Sequence, residues 1–488
     1  MYIALVNVRR SEKPVIPMGL LSLAAMLEKH GFTVTIDDLV YEEEELKLIE
    51  RLAETKPDII GFSFLTTAVA RTINLVDKAA KAVPHAIRIG GGAHCTGLPE
   101  KSLQDINLHY VIAGEGEYPL LDLCTRLRDG KPVESVNGLV YRSGEKIIAN
   151  PIGGFIEDLN ELPLPAWHLI NMESYLFPPG YIKGLFYKRT VPVMTSRGCP
   201  SHCIFCSSPG IFGRRIRRRS VDNVMNEISI LRERFNIDGI FFLDDTFTLN
   251  TDWVLEFCRQ MKAQNINLPW SCQTRVNVVT KPLLQTMKDS GCVQVDYGIE
   301  SGSDRILKVI KKGTTVELIK KAFAIAHEVG LRTYGSILIG NPTETLEDIR
   351  MTKELLKEIK PSLTLFNFLT PMPGSELYDM ALANGWMSDK YQYLFSYDTR
   401  TADVPLMAAN MDAATLRSIR SELQNAVFLR NYMSYLNLRN TAFLAELAWV
   451  SLKHPAAICK GVVKAIRNRA FDDLADTVYY VYCMDKRR

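Results

Sequence analysis

Cys199, Cys203 and Cys206 lie within one short stretch, RGCPSHCIFC at residues 197–206, and three thiols this close are the side chains best suited to chemistry. Structural zinc needs four closed ligands, usually two close pairs, and no fourth cysteine stands at zinc-knuckle spacing. A cubane iron–sulfur cluster has four irons. Three thiolates hold three of them and leave the fourth open to bind a substrate or cofactor through an amine and a carboxylate. The other cysteines, Cys95, Cys124, Cys258, Cys272, Cys292, Cys459 and Cys483, are isolated and read as small buried hydrophobes. A second set of polar residues falls at the ends of apolar runs: Asp244 and Asp245 in LDDTFT, Arg275 in WSCQTR, Glu300 and Ser301 in GIESGSD. Taken singly these read as helix caps or surface ion pairs; at successive strand ends of one barrel they read as ligand contacts.

The elements that must position these residues form two α/β blocks in series. Residues 1–145 alternate apolar strands (YIALVNV, FTVTIDD, PDIIGFSF, AIRIGGG, LHYVIAG) with helical periods such as MGLLSLAAMLEKHG, the pattern of a doubly wound, Rossmann-like parallel sheet. In such sheets ligands sit at the carboxyl edge of the strands. Here that edge carries Met18, Gly19, Ser63, Thr66, Gly91, Gly92, His94, Thr96, Glu115 and Gly116. Residues 146–188 are rich in Pro and Gly and read as a connector. Six further βα units, from VPVMTS to SLTLFNFL within residues 189–390, predict a partial (β/α)6 barrel, with the three cysteines directly after its first strand. Residues 391–488 read as helical, with a break or kink at Pro455; Lys453, Lys460, Lys464, Arg467 and Arg469 line an apolar face there.

Composition excludes several classes. With 47% hydrophobic residues over 488 positions the chain can bury two or three cores, and a net charge of +3 is too small to argue for a nucleic-acid partner. The run RRIRRR at residues 214–219 precedes a helix and is expected to make solvated or carboxylate-paired contacts. The amino terminus MYIALVNVRR lacks the pattern of a signal peptide, and no uncharged apolar segment long enough to span a membrane follows. The expected location is the cytoplasm, and the basic amphipathic carboxyl-terminal helix offers a second reading, peripheral contact with a membrane.

The spacing C-x3-C-x2-C, with Phe205 before the last cysteine and a strand before the loop, resembles the signature of the radical S-adenosylmethionine (radical SAM) superfamily. The resemblance implies that Cys199, Cys203 and Cys206 ligate a [4Fe-4S] cluster whose open iron chelates S-adenosylmethionine. An electron from the cluster then breaks the sulfonium bond, and the deoxyadenosyl radical abstracts a substrate hydrogen. By the same match Phe205 lies against the adenine, Asp244 and Asp245 face the cofactor's amino group, Arg275 meets its carboxylate, and Glu300 with Ser301 approaches the ribose. GSILIGNPTET resembles the fifth-strand glycine motif and assigns Gly340 to the cofactor, although Gly335 and Gly340 stand one residue further apart than in the commonest form.

In the first block, Pro17-Met18-Gly19, LTT, GGGAHCTGLPE and VIAGEGE together look like the cobalamin-binding domain of the class B group, which includes the anaerobic magnesium-protoporphyrin ester cyclase type. With TPMPGSELY the likeness covers most of residues 1–380. One departure stands out. Many cobalamin domains carry D-x-H-x-x-G, whose histidine ligates cobalt; here the region after the second strand reads DDLVYEE. The resemblance therefore implies cobalamin bound without a protein histidine below it, or a corrinoid that has been lost. It implies methylation of an unactivated carbon of a small-molecule, lipid or natural-product substrate, with oxidative cyclisation or rearrangement as the alternative, and an external one-electron donor of flavodoxin or ferredoxin type. Transfer RNA methylthiolation would want a second cysteine triad, and a bare iron–sulfur sensor would leave the polar strand ends unexplained.

Overall fold

Along Tyr2–Val8 (β1) nearly every residue is apolar, so both faces of the strand must be covered. Ala4, Val6 and Val8 enter one core and Ile3 and Leu5 another, the period of two that a strand imposes. The computed structural model describes residues 1–9, 15–39, 43–176, 181–185, 187, 189–387, 407–409, 411–435, 440–468, 477–478, 481–482 and 485. After β1 come β2 (Thr33–Leu39), β3 (Ile59–Phe64), β4 (Ile87–Gly91), β5 (Tyr110–Ile112), β6 (Leu139–Ser143) and β7 (Lys146–Ala149). They form one sheet in the order β2-β1-β3-β4-β5-β6-β7. The first five are parallel, and β6 and β7 add an antiparallel hairpin that carries the sheet to Ala149. The chain runs from β1 out to β2 and returns to β3 on the other side of β1, so the loops after β1 and β3 diverge and open a crevice at the carboxyl edge. Helices Met18–Lys29 and Glu117–Arg128 cover one face; Glu43–Thr55 and Val69–Ala82 cover the other.

The next strand, β8 (Thr190–Val193), opens the second sheet. The loop after it makes a short antiparallel ribbon, β9 (Ser196–Arg197) with β10 (Arg217–Arg218). The second sheet resumes with β11 (Gly239–Phe242), β12 (Trp270–Thr274), β13 (Cys292–Glu300), β14 (Arg332–Ile339) and β15 (Leu363–Phe368). Its order is β15-β14-β13-β12-β11-β8, every pair parallel, which is the six-stranded partial barrel expected from the sequence. Phe242, Phe247, Phe257 and Trp270 fill one end of its core, with Phe242 stacked on Phe247 at 4.6 Å between centroids.

Helix Ala413–Tyr435 covers the edge strand β15. Asn431 accepts from Thr364 N at 3.0 Å and donates to Thr364 O at 2.9 Å, taking backbone groups that an exposed edge would leave open. Helices Thr441–Lys453 and Pro455–Asn468 follow, the break falling where the missing N–H of Pro455 costs nothing, at the start of the second of them. Arg469 and Cys483 lie outside the described residues.

Two compact units emerge, neither continuous in sequence. The first is Met1–Tyr175, Ser196–Asn223 and Thr370–Tyr397; the second is Leu176–Thr195, Val224–Leu369 and Asp398–Arg488.

Candidate active site

The cysteine loop belongs to the first unit. Gly198 precedes Cys199 with φ +94°, and a Cβ there would stand 2.3 Å from Arg215 O, so only glycine lets the two sides of the loop approach. Cys199 N donates to Gly213 O at 3.3 Å and Cys206 N to Cys203 O at 3.2 Å. From the distant TPMPGSELY segment, Leu377 N donates to Ile204 O at 2.8 Å. Ile204 is buried, and these ties leave Cys199, Cys203, Phe205 and Cys206 partly exposed around it. None of the nine described cysteines is in a disulfide. Among the described residues no three His, Cys, Asp or Glu side chains converge on a single ion. One tetrahedral zinc would draw its sulfurs to about 3.8 Å of one another, from a bond of about 2.3 Å; a cubane takes one thiolate per iron and spreads them further. The donor set, three accessible thiols on one anchored loop, suits a cluster.

In the second unit the polar residues end successive strands, but they are not equivalent. Asp244 is 1% exposed, and its two oxygens accept from the backbone N of Thr195 (2.7 Å) and from the Thr195 hydroxyl. Of the two acids expected to meet a cofactor, Asp245 is therefore the one at the surface. Arg275 donates to Lys312 O and, at 3.4 Å, to Asn277 Oδ1. Glu300 follows a bulge in β13 and holds φ +65°, a strained setting for a residue with a Cβ. Lys312 Nζ donates to its Oε1 at 2.6 Å, and Ser336 Oγ to its Oε2 at 3.4 Å. Ser301 is fully buried and its hydroxyl accepts from Ser303 N at 3.2 Å, so it shapes the loop and offers no surface to a ligand. Gly340, φ +84°, is fixed by Glu344, whose Oε2 accepts from Gly340 N (2.7 Å) and Asn341 N (3.1 Å). Burial pushes the Glu344 carboxyl up to about 7 despite these bonds.

At the carboxyl edge of the first sheet, Thr96 joins two loops: its hydroxyl donates to Gly92 O at 3.0 Å and accepts from Gly114 N at 3.0 Å. Gly19 and Gly92 are exposed, and Met18, Ser63, Gly91 and Gly116 are partly so, leaving an edge of small residues that suits a bulky planar ligand. Three expected contacts turn inward instead. His94 is fully buried with Nδ1 3.1 Å from Thr66 Oγ1, itself buried; burial lowers its pKa to about 4, so it is a neutral core residue. Glu115 is taken up by Arg197 and Arg217. After β2, where a cobalt-binding histidine loop would begin, Asp38 accepts from Asn7 (2.9 Å), Arg9 (2.5 Å) and Tyr175 (2.7 Å), and Asp37 pairs with Arg51. Burial raises both carboxyls above their usual range. Residues 40–42 of that stretch lie outside the described ones.

The Radical SAM superfamily profile matches residues 193–356 and the B12 binding domain profile residues 4–123. An uncharacterized methyltransferase of Pyrococcus horikoshii is 34% identical over 369 residues, 75% of this chain and 79% of its own. Cytidylyl-2-hydroxyethylphosphonate methyltransferase of Streptomyces wedmorensis is 29% identical, covering 80% of this chain and 82% of its own. The anaerobic magnesium-protoporphyrin IX monomethyl ester cyclase of Rubrivivax gelatinosus is 26% identical over 93% of this chain and 79% of its own. Among solved structures, the radical S-adenosylmethionine methyltransferase TsrM of Kitasatospora setae, with cobalamin and a [4Fe-4S] cluster bound, superposes with a TM-score of 0.66 at 21% identity over 79% of this chain and 75% of its own. The chain belongs to the cobalamin-binding radical SAM enzymes. Its cofactors are a [4Fe-4S] cluster, S-adenosylmethionine and cobalamin. No described helix is long and apolar enough to cross a membrane.

Sequence reasoning missed Lys312 and Arg197; it set Glu117 in the GEGE run on the ligand edge and expected carboxylate-paired contacts for the run that holds Arg217, without naming a partner. The arginines stand in quoted motifs, TSRGC and RRIRRR, but nothing local to either says which carboxylate it meets.

Proposed function

We propose that the chain transfers a methyl group to an unactivated carbon of a small-molecule, natural-product or lipid substrate. The observation that carries this reading is the relative at 34% identity, a methyltransferase aligned over three quarters of the chain. When bound, the cluster supplies the electron that cleaves S-adenosylmethionine, and cobalamin carries the methyl group. Cys199, Cys203 and Cys206 hold the cluster. Asp245 accepts from the amino group of S-adenosylmethionine, Arg275 faces its carboxylate, Glu300 its ribose, and Phe205 and Gly340 lie against the adenine. Met18, Gly19, Ser63, Gly91, Gly92, Thr96 and Gly116 admit the corrin at the first sheet's edge.

Asp244, Ser301, Thr66, His94 and Glu115 act within the protein, their polar atoms being buried or already paired; Glu300 is as buried and is paired with Lys312, and its assignment to the ribose rests on the motif match alone. An external donor of flavodoxin or ferredoxin type supplies electrons. Oxidative cyclisation with the same cofactors is the second reading, favoured by the cyclase alignment over 93% of the chain. A deuteriomethyl label separates them: protein supplied with reduced corrinoid and labelled S-adenosylmethionine is expected to yield S-adenosylhomocysteine, with the label recovered in the corrinoid fraction. Deoxyadenosine without S-adenosylhomocysteine would favour cyclisation.

We place the enzyme in the cytoplasm. A peripheral membrane contact is supported by Trp449, Leu452 and Val463, which are 61%, 75% and 65% exposed, beside Lys453 and Lys460. Co-sedimentation with phosphatidylserine vesicles, lost in Trp449→Ala/Leu452→Ala, is expected; no sedimentation of wild type rules the contact out.

A further inference from the structure

The ribbon that frames the cysteine loop has an electrostatic problem. Arg197 on β9 and Arg217 on β10 are direct cross-strand partners, and both are buried, with side chains 10% and 2% exposed. Like charges directly opposite one another push two strands apart, and burial weakens the screening that would relieve them. The first sheet supplies the answer from the Gly-Glu-Gly-Glu turn after β5. Glu115 spans the two arginines, Oε1 accepting from Arg197 Nη1 at 3.0 Å and Oε2 from Arg217 Nη1 at 2.6 Å. Glu117 accepts from Arg197 Nη2 at 2.6 Å and from Ser22 Oγ of helix Met18–Lys29 at 2.7 Å.

Two cations and two anions thus close a neutral, buried quartet. Its remaining bonds are structural: Ile156 N to Glu115 (2.9 Å), Arg217 to Ile156 O (2.8 Å) and to Phe212 O (2.6 Å). Arg197 is two residues from Cys199, while Phe212 lies just past the loop's far end, so the quartet grips the loop on both sides.

We propose that Glu115 and Glu117, with Arg197 and Arg217, are positioning residues that fix the cysteine loop to the cobalamin-type sheet before any cluster is bound. The acids of this turn then serve the iron site, and the first domain is a template for the loop whether or not it holds a corrinoid. A buried charge that loses its partner destabilises its surroundings strongly, and local opening exposes the chain to proteases.

The test uses the full chain without cluster. Trypsin cleavage at the exposed Arg214 and Arg215 is expected to run about tenfold faster or more in Glu115→Gln/Glu117→Gln than in wild type. Iron bound after anaerobic reconstitution should fall by about half or more, with the helical circular dichroism of the full chain unchanged. Asp122→Asn, which breaks the half-exposed pair with Arg126, serves as control and should match wild type. Should the double variant fail to fold, Glu117→Gln alone carries the test, since it leaves Arg217 paired. Cleavage and iron uptake equal to wild type, or equal acceleration in Asp122→Asn, overturn the proposal. The protease arm stands apart from the cluster assignment: a wild type that takes up no iron, beside a variant that is cut faster, would sink that assignment and leave the quartet's role intact.

Discussion

Cys203→Ala protein, reconstituted anaerobically with iron and sulfide, is expected to retain less than about half the wild-type iron and to form no deoxyadenosine from S-adenosylmethionine. The reason is the number of ligands. On the proposed assignment wild type offers three thiolates to four irons, and a cubane held by two would be open to solvent at both remaining corners. The backbone bonds that shape the loop, from Cys206 N to Cys203 O and from Leu377 N to Ile204 O, do not involve the thiol, so the variant should fold. Cys258→Ala is the matched control. That thiol is buried in helix Thr251–Ala263, outside the cysteine loop, and burial pushes its pKa up to about 12. Its loss should cost about 1 kcal/mol of packing and no iron. Equal iron in Cys203→Ala and wild type would overturn the assignment of the loop.

The second large effect is one of stability. Lys312 and Glu300 are buried together at 2.6 Å, with side chains 10% and 7% exposed. Removing one member of such a pair leaves an uncompensated charge and costs about 3–5 kcal/mol, whereas removing both is far milder. Lys312→Met is therefore expected to shift the urea midpoint sharply downward, and Lys312→Met/Glu300→Gln to recover most of the shift. With Glu300→Gln as the third corner of the cycle, the effect of the double variant less the sum of the two single effects is the coupling energy. On the proposed assignment of Glu300 to the ribose, Glu300→Gln alone should also weaken S-adenosylmethionine binding. A coupling energy near zero would show that the pair contributes nothing.

Much of this was legible in the order of the residues. The parallel strands announce themselves because a strand covered on both faces is apolar throughout, as YIALVNV and GIFF are. Pro455 marks a helix break by its chemistry alone. The cysteine triad was legible because its spacing is local. The β6–β7 hairpin escaped notice although its signal was present: LVYRS and KIIA flank Gly144, whose φ of +60° makes the turn.

What stayed hidden is of a different kind. That Asp244 turns inward to Thr195 while Asp245 stays at the surface depends on one residue of register at a strand end. That Glu115 serves arginines, and that Glu300 needs Lys312, depends on pairings across the fold that no local pattern encodes.

The interrupted course of the first unit sets a timetable for synthesis. Ile204 leaves the ribosome long before Leu377, and Gly97 earlier still; yet Gly97 approaches Pro373 so closely that a Cβ would stand 2.8 Å from its carbonyl carbon. The nascent loop must therefore wait, untethered at this end, until the Pro373–Leu377 strap has emerged and docked. On the proposed assignment of the cysteines, a messenger truncated before that strap would make a chain with its three thiols present and no finished seat for a cluster.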